Sequence, residues 1–233
     1  MAVYVFKRVE KKYIVTGEQK AILTEQFSPF IEPDEHSLYT LCNVYYDTES
    51  FDLIRMSIEK PDFKEKLRIR SYGIPSENSS VYVELKRKYD KTVYKRRLEA
   101  EYGKARRYLS GEISIEDTHI AREIDYFCKT YQVSPRVLIA YEREAYKGVA
   151  DENMRITFDG DIRYCFDTSV GFEDRAAFKT ILPSDRFVME IKANGAIPVE
   201  MARILNSLEI YPTSFSKYGR AYINEHKILN KKG

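Results

Sequence analysis

Lys66-Leu67-Arg68-Ile69-Arg70 places cations at alternate positions of a short segment. Strand side chains alternate with a period of two, so an extended chain here has one basic face and one aliphatic face. Val81-Tyr82-Val83-Glu84-Leu85-Lys86 sets Glu84 and Lys86 against Val81, Val83 and Leu85. Phe187-Val188-Met189-Glu190-Ile191-Lys192 writes the same Glu-x-Lys pair far down the chain. One such strand is an ordinary solvated edge. Several in one domain can line a charged cavity, and Arg and Lys lining a cavity imply a polyanion within it.

Reading the alternation through every candidate strand collects an ionic set: Arg8, Glu10 and Lys12; Lys66, Arg68 and Arg70; Glu84 and Lys86; Lys95 and Arg97; Tyr141 and Arg143; Arg155 and Asp159; Glu190 and Lys192. The adjacent Arg96 competes with Arg97 for the ionic face. The elements that must carry these residues are legible in outline. A strand over Val5–Ile14 leads to Thr16 and Gln19 at capping-box spacing, which starts a helix through Phe27 with Ile22, Leu23 and Phe27 as its stripe. Tyr39–Tyr46 reads as a strand ending at the cap or turn signal Asp47-Thr48, and a short helix follows around Ser50–Ser57. Lys66–Tyr72, Val81–Lys88 and Thr92–Glu101 form an antiparallel meander with turn chemistry between them. Ile120, Ile124, Phe127, Cys128 and Tyr131 stripe a helix. Val137–Ala145, Met154–Tyr164 and Phe187–Lys192 are further strands. Pro198 opens a helix with Met201, Ile204, Leu205 and Leu208 inward, and a last helix covers about 215–229.

Composition limits what these faces serve. The 233 residues carry a net charge of only +2, so any basic site is a local arrangement and a nucleic-acid partner is not indicated. Three cysteines (Cys42, Cys128, Cys165) lie far apart without a C-x-x-C pair, which argues against a disulfide framework and against a zinc site and suits a reducing cytoplasm. The histidines His36, His119 and His226 are equally scattered. The N-terminus is charged too early for a signal peptide, and no run approaches the roughly 20 apolar residues of a membrane span. No linker, repeat or low-complexity stretch divides the chain, so it reads as a single domain over residues 1–233 in the cytoplasm.

Antiparallel strands with helices outside make an α+β fold, and two arrangements are open. Apolar faces can point inward, leaving charge outside; or ionic faces can line a wet interior while helices cover the apolar faces. The amphipathic helices favour the second. Each needs an apolar sheet face, which Leu67, Ile69, Val81, Val83, Leu85, Val137, Ile139, Ile156, Phe158, Met189 and Ile191 supply.

The ordered segments Arg8-Val9-Glu10-Lys11-Lys12-Tyr13, Asn43-Val44-Tyr45-Tyr46-Asp47-Thr48, Lys66 to Gly73, Val83 to Lys88, Tyr94-Lys95-Arg96-Arg97, Tyr141-Glu142-Arg143, Met189-Glu190-Ile191-Lys192 and Ser214 to Gly219 carry a resemblance. Together they resemble the VTC domain, the polyphosphate polymerase branch of the triphosphate tunnel metalloenzymes, from Arg8 to about Tyr222. The wider superfamily opens with Glu-x-Glu-x-Lys; here Arg8 stands in place of the first glutamate, a departure that resembles the VTC branch.

The resemblance implies an antiparallel β-barrel, the triphosphate tunnel fold, with a charged interior and helices outside. It implies an ATP-dependent polyphosphate polymerase that passes the γ-phosphoryl group of ATP to a phosphate or polyphosphate end, assisted by Mn²⁺ or Mg²⁺. Carried over position by position, Lys12, Arg68, Arg70, Lys86, Arg143, Arg155 and Lys217 become catalytic phosphate ligands, with Lys95, Arg97, Tyr141, Ser216 and Lys192 as further phosphate or nucleotide contacts. Glu190 becomes the metal carboxylate, and Glu10 and Glu84 either join it or only balance neighbouring cations. Relatives attached to membrane segments leave room for a membrane-protein partner. Two other readings stay open: a tripolyphosphatase or nucleoside triphosphatase on the same scaffold, and a non-catalytic polyphosphate or inositol polyphosphate sensor.

Overall fold

The computed structural model describes residues 8–90 and 92–230. They form an antiparallel sheet of nine strands with six α-helices, the α+β class expected. The chain divides into two compact units. The first joins the segment ending at Tyr39 to Tyr141–Ile162 and Leu182–Phe215; the second comprises Thr40–Ala140, Arg163–Ile181 and the segment from Ser216 onward. Both are discontinuous in sequence, so no single cut separates them. This is why composition shows no linker.

In the first unit, β1 (Arg8–Thr16) pairs with β9 (Arg186–Asn194), which pairs with β7 (Arg155–Cys165). The predicted beginning of β1 at Val5 lies outside the described residues. Helix α1 (Gly17–Phe27) starts at the anticipated capping box: Thr16 Oγ1 accepts the Gln19 amide at 3.0 Å and Gln19 Oε1 accepts the Thr16 amide at 3.0 Å. Leu23 and Phe27 from α1, and Met201 and Leu205 from α5 (Val199–Ser207), bury against Ile156, Phe158, Met189 and Ile191. The apolar strand face is therefore the one the helices cover.

The second unit repeats the arrangement. The end of β2 (Ile31–Asp47) pairs with β3 (Phe63–Tyr72), then β4 (Ser80–Tyr89) and β5 (Thr92–Glu101). Leu67, Ile69, Val81, Val83 and Leu85 pack against α2 (Asp52–Ile58), α3 (Tyr102–Leu109) and α4 (His119–Tyr131) through Leu53, Ala105, Tyr108, Leu109, Ile124 and Phe127. Helix α3 has no counterpart in the sequence expectation, since its stripe is only Ala105, Tyr108 and Leu109. In β6 (Ser134–Gly148), Leu138 and Ala140 enter this core, whereas Val137 and Ile139 are buried but not part of it. The assignment of Val137 and Ile139 to the helix-covered face is corrected, because alternation sends neighbours to opposite sides. The short β8 (Lys179–Thr180) pairs with the end of β7, and α6 (Lys217–Asn230) closes the described chain.

Candidate functional site

In the second unit the antiparallel register sorts the ionic residues into cross-strand rows. Lys66, Lys86 and Lys95 oppose one another across β3, β4 and β5. The next row is Arg68, Glu84 and Arg97, and beyond it Arg70 faces Tyr82. From β2, Tyr45 opposes Arg68 and Asn43 opposes Arg70. Like charges directly opposite one another destabilise a sheet, so this clustering needs compensation.

Glu84 provides part of it from the middle, at 1% exposure. Its Oε2 accepts Arg68 Nε and Nη2 at 2.9 and 2.7 Å, while Oε1 accepts Arg97 Nε and Nη2 at 3.0 and 2.7 Å. Lys95 Nζ lies 2.6 Å from Oε1, and Arg70 Nε 3.9 Å from Oε2. Burial opposes ionisation of Glu84, but Arg68, Arg70 and Lys95 outweigh it and hold the carboxyl far below the usual range. With both oxygens engaged by cations, Glu84 has the surroundings of a counter-ion.

The choice between Arg96 and Arg97 follows from parity. Arg96 opposes Leu85 on the helix-covered face, where it donates to Glu123 of α4 at 3.0 Å; Arg87 donates to the same carboxylate at 2.6 Å. Arg97 stands on the Glu84 side, with its guanidinium 4.3 Å from the Tyr82 ring centre.

Lys95 is poised to titrate. Burial and the charges of Arg97 and Arg68 push its ammonium down to about 8, although Glu84 pulls the other way. A phosphate chain would favour the charged form, so binding near pH 8 should take up a proton. Calorimetry in buffers of different ionisation enthalpy should show an uptake by Lys95 at about pH 8 and no Lys95 contribution at about pH 6, where Lys95 is already charged. Lys95→Arg, charged throughout, should abolish the uptake; uptake that persists in it would assign the proton elsewhere.

Asp47 ties α6 to this face. Its buried carboxylate accepts the Leu53 and Ile54 amides at 3.0 Å each, capping α2, and accepts Tyr218 Oη at 2.8 Å. Burial raises the Asp47 carboxyl despite these hydrogen bonds. Just before α6, Ser216 Oγ accepts Lys66 Nζ at 3.0 Å and the Gly219 amide at 3.1 Å. Lys217 is the next residue and opens the helix.

The first unit has its own ionic face. Lys192 of β9 lies between Glu10 and Arg155, and Glu190 lies between Lys12 and Thr157. Lys192 Nζ is 2.7 Å from Glu190, and Lys12 Nζ is 3.2 Å from Glu10. Arg143 donates to Asp159 through Nε at 2.6 Å and Nη2 at 2.8 Å, with Asp159 fully buried. Its guanidinium lies 5.4 Å from the Tyr141 ring. Burial disfavours the Arg143 charge, but Tyr141, Asp159 and Glu190 outweigh that and keep it protonated. Arg155 pairs with Asp34 at 2.8 Å and donates to Tyr39 Oη at 3.3 Å.

Several residues of these faces escape a search for charge. Tyr45 accepts Arg68 Nη1 at 2.9 Å, and Asn43 Oδ1 accepts Arg70 Nε at 3.0 Å. Both share the parity of Asp47 on β2, which was the available signal. Thr157 sits between Arg155 and Asp159 on the same parity.

For a divalent cation, the Glu190 carboxylate presents hard oxygens. No group of three or more His, Cys, Asp or Glu among the described residues is arranged to hold a metal ion. Mg²⁺-type sites formed by one or two carboxylates plus substrate phosphates fit such a sparse donor set.

The VTC domain family model matches residues 7–225. The chain belongs to the VTC domain family. Vacuolar transporter chaperone complex subunit 4 of Schizosaccharomyces pombe is 23% identical to this VTC domain over 145 residues, a match spanning 52% of this chain and 20% of that protein. The VTC domain thus corresponds to a minor part of that relative. Its fold resembles the crystal structure of a Bacillus halodurans protein provisionally described as an adenylate cyclase, with a TM-score of 0.56 at 15% identity. The likeness covers 90% of this chain and 93% of the other. No helix among the described residues is long and apolar enough to cross a membrane.

Proposed function

We propose that this VTC domain is a polyphosphate polymerase, moving the γ-phosphoryl group of ATP onto the end of a phosphate or polyphosphate chain. The observation that carries the reading is the cationic clustering around Glu84: Arg68, Arg70, Lys95 and Arg97 gather about one buried carboxylate, with Lys66 and Lys86 in the adjoining row. A polyanion is the ligand class whose charge complements such a face. Guanidinium forks suit its oxygens, and Lys86 and Lys217 of the same unit add point charges.

In the transfer, the bond between the γ-phosphorus and the β–γ bridging oxygen breaks, and a terminal oxygen of the acceptor phosphate bonds to that phosphorus; ADP leaves. The transition state is loose, so fixing the phosphates and spreading their charge supply most of the catalysis. Arg68, Arg70 and Arg97 would orient and neutralise on the second unit's face, and Arg143, Arg155 and Lys12 on the first unit's. Glu190 would hold a divalent cation, which when bound neutralises phosphate charge.

An acceptor phosphate is already anionic and needs no general base, whereas water does. The carboxylates on these faces are ion-paired: Glu84 with Arg68 and Arg97, Asp159 with Arg143, Glu190 with Lys192. Paired, ionised carboxylates are poor bases at neutral pH, which supports transfer over hydrolysis. The relative's description as a subunit of a complex supports a protein partner for this domain.

Incubation with ATP and Mn²⁺ should yield phosphate chains resolved as a ladder on a gel. Orthophosphate released without chains would replace this reading with a triphosphatase on the same scaffold.

A further inference from the structure

Two polar atoms on the ionic side of β7 are buried without a hydrogen-bond partner, Thr157 Oγ1 and Arg155 Nε. Two residues apart on one strand, they share a face. Thr157 is only 3% exposed. Its cross-strand neighbour Glu190 is engaged by Lys192 at 2.7 Å, and the Arg155 guanidinium is held through Nη2 by Asp34 and Tyr39. The hydroxyl and the Nε–H are therefore left as adjacent donors beside Lys192, which opposes Arg155 in register.

A buried polar group without a partner is unfavourable, and an apolar residue of the same shape would remove that cost. Valine is such a residue and suits a strand well. A threonine in this position has a physical explanation if something outside the chain completes its hydrogen bond. That partner must accept hydrogen bonds, must sit between a hydroxyl and a guanidinium, and must tolerate a lysine alongside. A tetrahedral oxyanion meets all of these requirements.

We infer that Thr157 Oγ1 and Arg155 Nε form one phosphoryl-oxygen subsite, in which Thr157 positions the phosphate next to Glu190. The subsite rests on the polyphosphate reading above. It adds a neutral donor to a site otherwise built from cations, and gives Arg155 a task distinct from its pairing with Asp34. Because a hydroxyl hydrogen bond is directional, it fixes where one oxygen lies, which the flexible ammonium of Lys192 cannot do.

The test measures tripolyphosphate binding by calorimetry without metal, together with thermal melting, for native protein, Thr157→Val and Thr157→Ser. Thr157→Val should bind about tenfold more weakly, the loss of one hydrogen bond to a charged group. The ligand-free variant should melt no lower than native, since it removes a buried unsatisfied hydroxyl. Thr157→Ser should stay within about threefold of native affinity, because the donor is retained. Native-like affinity in Thr157→Val, beside a native protein that binds, overturns the subsite and leaves the hydroxyl to an ordinary buried water. Equal weakening in both variants also overturns it, because Thr157→Ser keeps the hydroxyl and its retention would then not preserve affinity. A native protein that binds no tripolyphosphate overturns the polyphosphate reading and this subsite with it.

Discussion

Glu84→Gln should destabilise the protein by roughly 3–5 kcal/mol, because breaking a buried ion pair leaves the partner charges uncompensated. For a chain of this length that corresponds to a melting temperature lower by about 6–15 °C. The cause is local. Arg68, Arg97 and Lys95 lie within 3 Å of the Glu84 oxygens, and without its charge they repel one another and Arg70. The variant also separates cost from use. A polyanion replaces the missing charge, so saturating tripolyphosphate should raise the melting temperature of Glu84→Gln more than that of native protein.

The pH dependence has a definite sign. The folded Glu84 carboxyl sits far below its ordinary value of 4.5, so its stabilisation is complete above that value and lost as pH falls toward the folded one. Urea denaturation should therefore show native and Glu84→Gln stabilities converging as the solution is acidified below about pH 4. A variant as stable as native at neutral pH, or one with no enhanced response to tripolyphosphate, would show that the cations do not depend on Glu84.

The ionic rows were legible because a strand's alternation is local. Lys66, Arg68 and Arg70 share a face wherever the strand goes, and Glu84 with Lys86 likewise. The α1 start at Thr16 was legible for the same reason, since a capping box is complete within four residues. Parity also decides between Arg96 and Arg97, but only once the β4–β5 register is known: Leu85 opposite Arg96 marks the covered face. What stayed hidden depends on pairing. Nothing in the sequence around Glu84 says that both its oxygens will be taken by side chains from β3 and β5. The contributors Tyr45, Asn43 and Thr157 carry no charge, so residue type alone does not mark them as partners of an ionic face. The misplacement of Val137 and Ile139 has a different origin: in a strand buried on both faces, hydrophobicity no longer reports which side meets the helices.

Glu190→Gln should separate an enzyme from a sensor. The substitution keeps the size and hydrogen-bonding capacity of a side chain that is 8% exposed, and removes only its charge. If Glu190 holds the divalent cation, turnover should fall by about 10²–10³-fold, the scale of several kcal/mol of lost charge stabilisation. Metal-free tripolyphosphate should bind at least as tightly as to native protein, since Lys192, 2.7 Å from Glu190, is released toward the ligand and one repelling carboxylate is gone. The concentration of Mn²⁺ needed for half-maximal rate should rise in the same variant. Arg143 also feels the Glu190 charge, so assays belong well below the melting temperature of the variant. Parallel loss of triphosphate affinity and rate would instead give Glu190 a role in holding the cationic face together. Native-like turnover would remove it from the metal site, and a native protein that binds triphosphate tightly without turning it over would be a sensor.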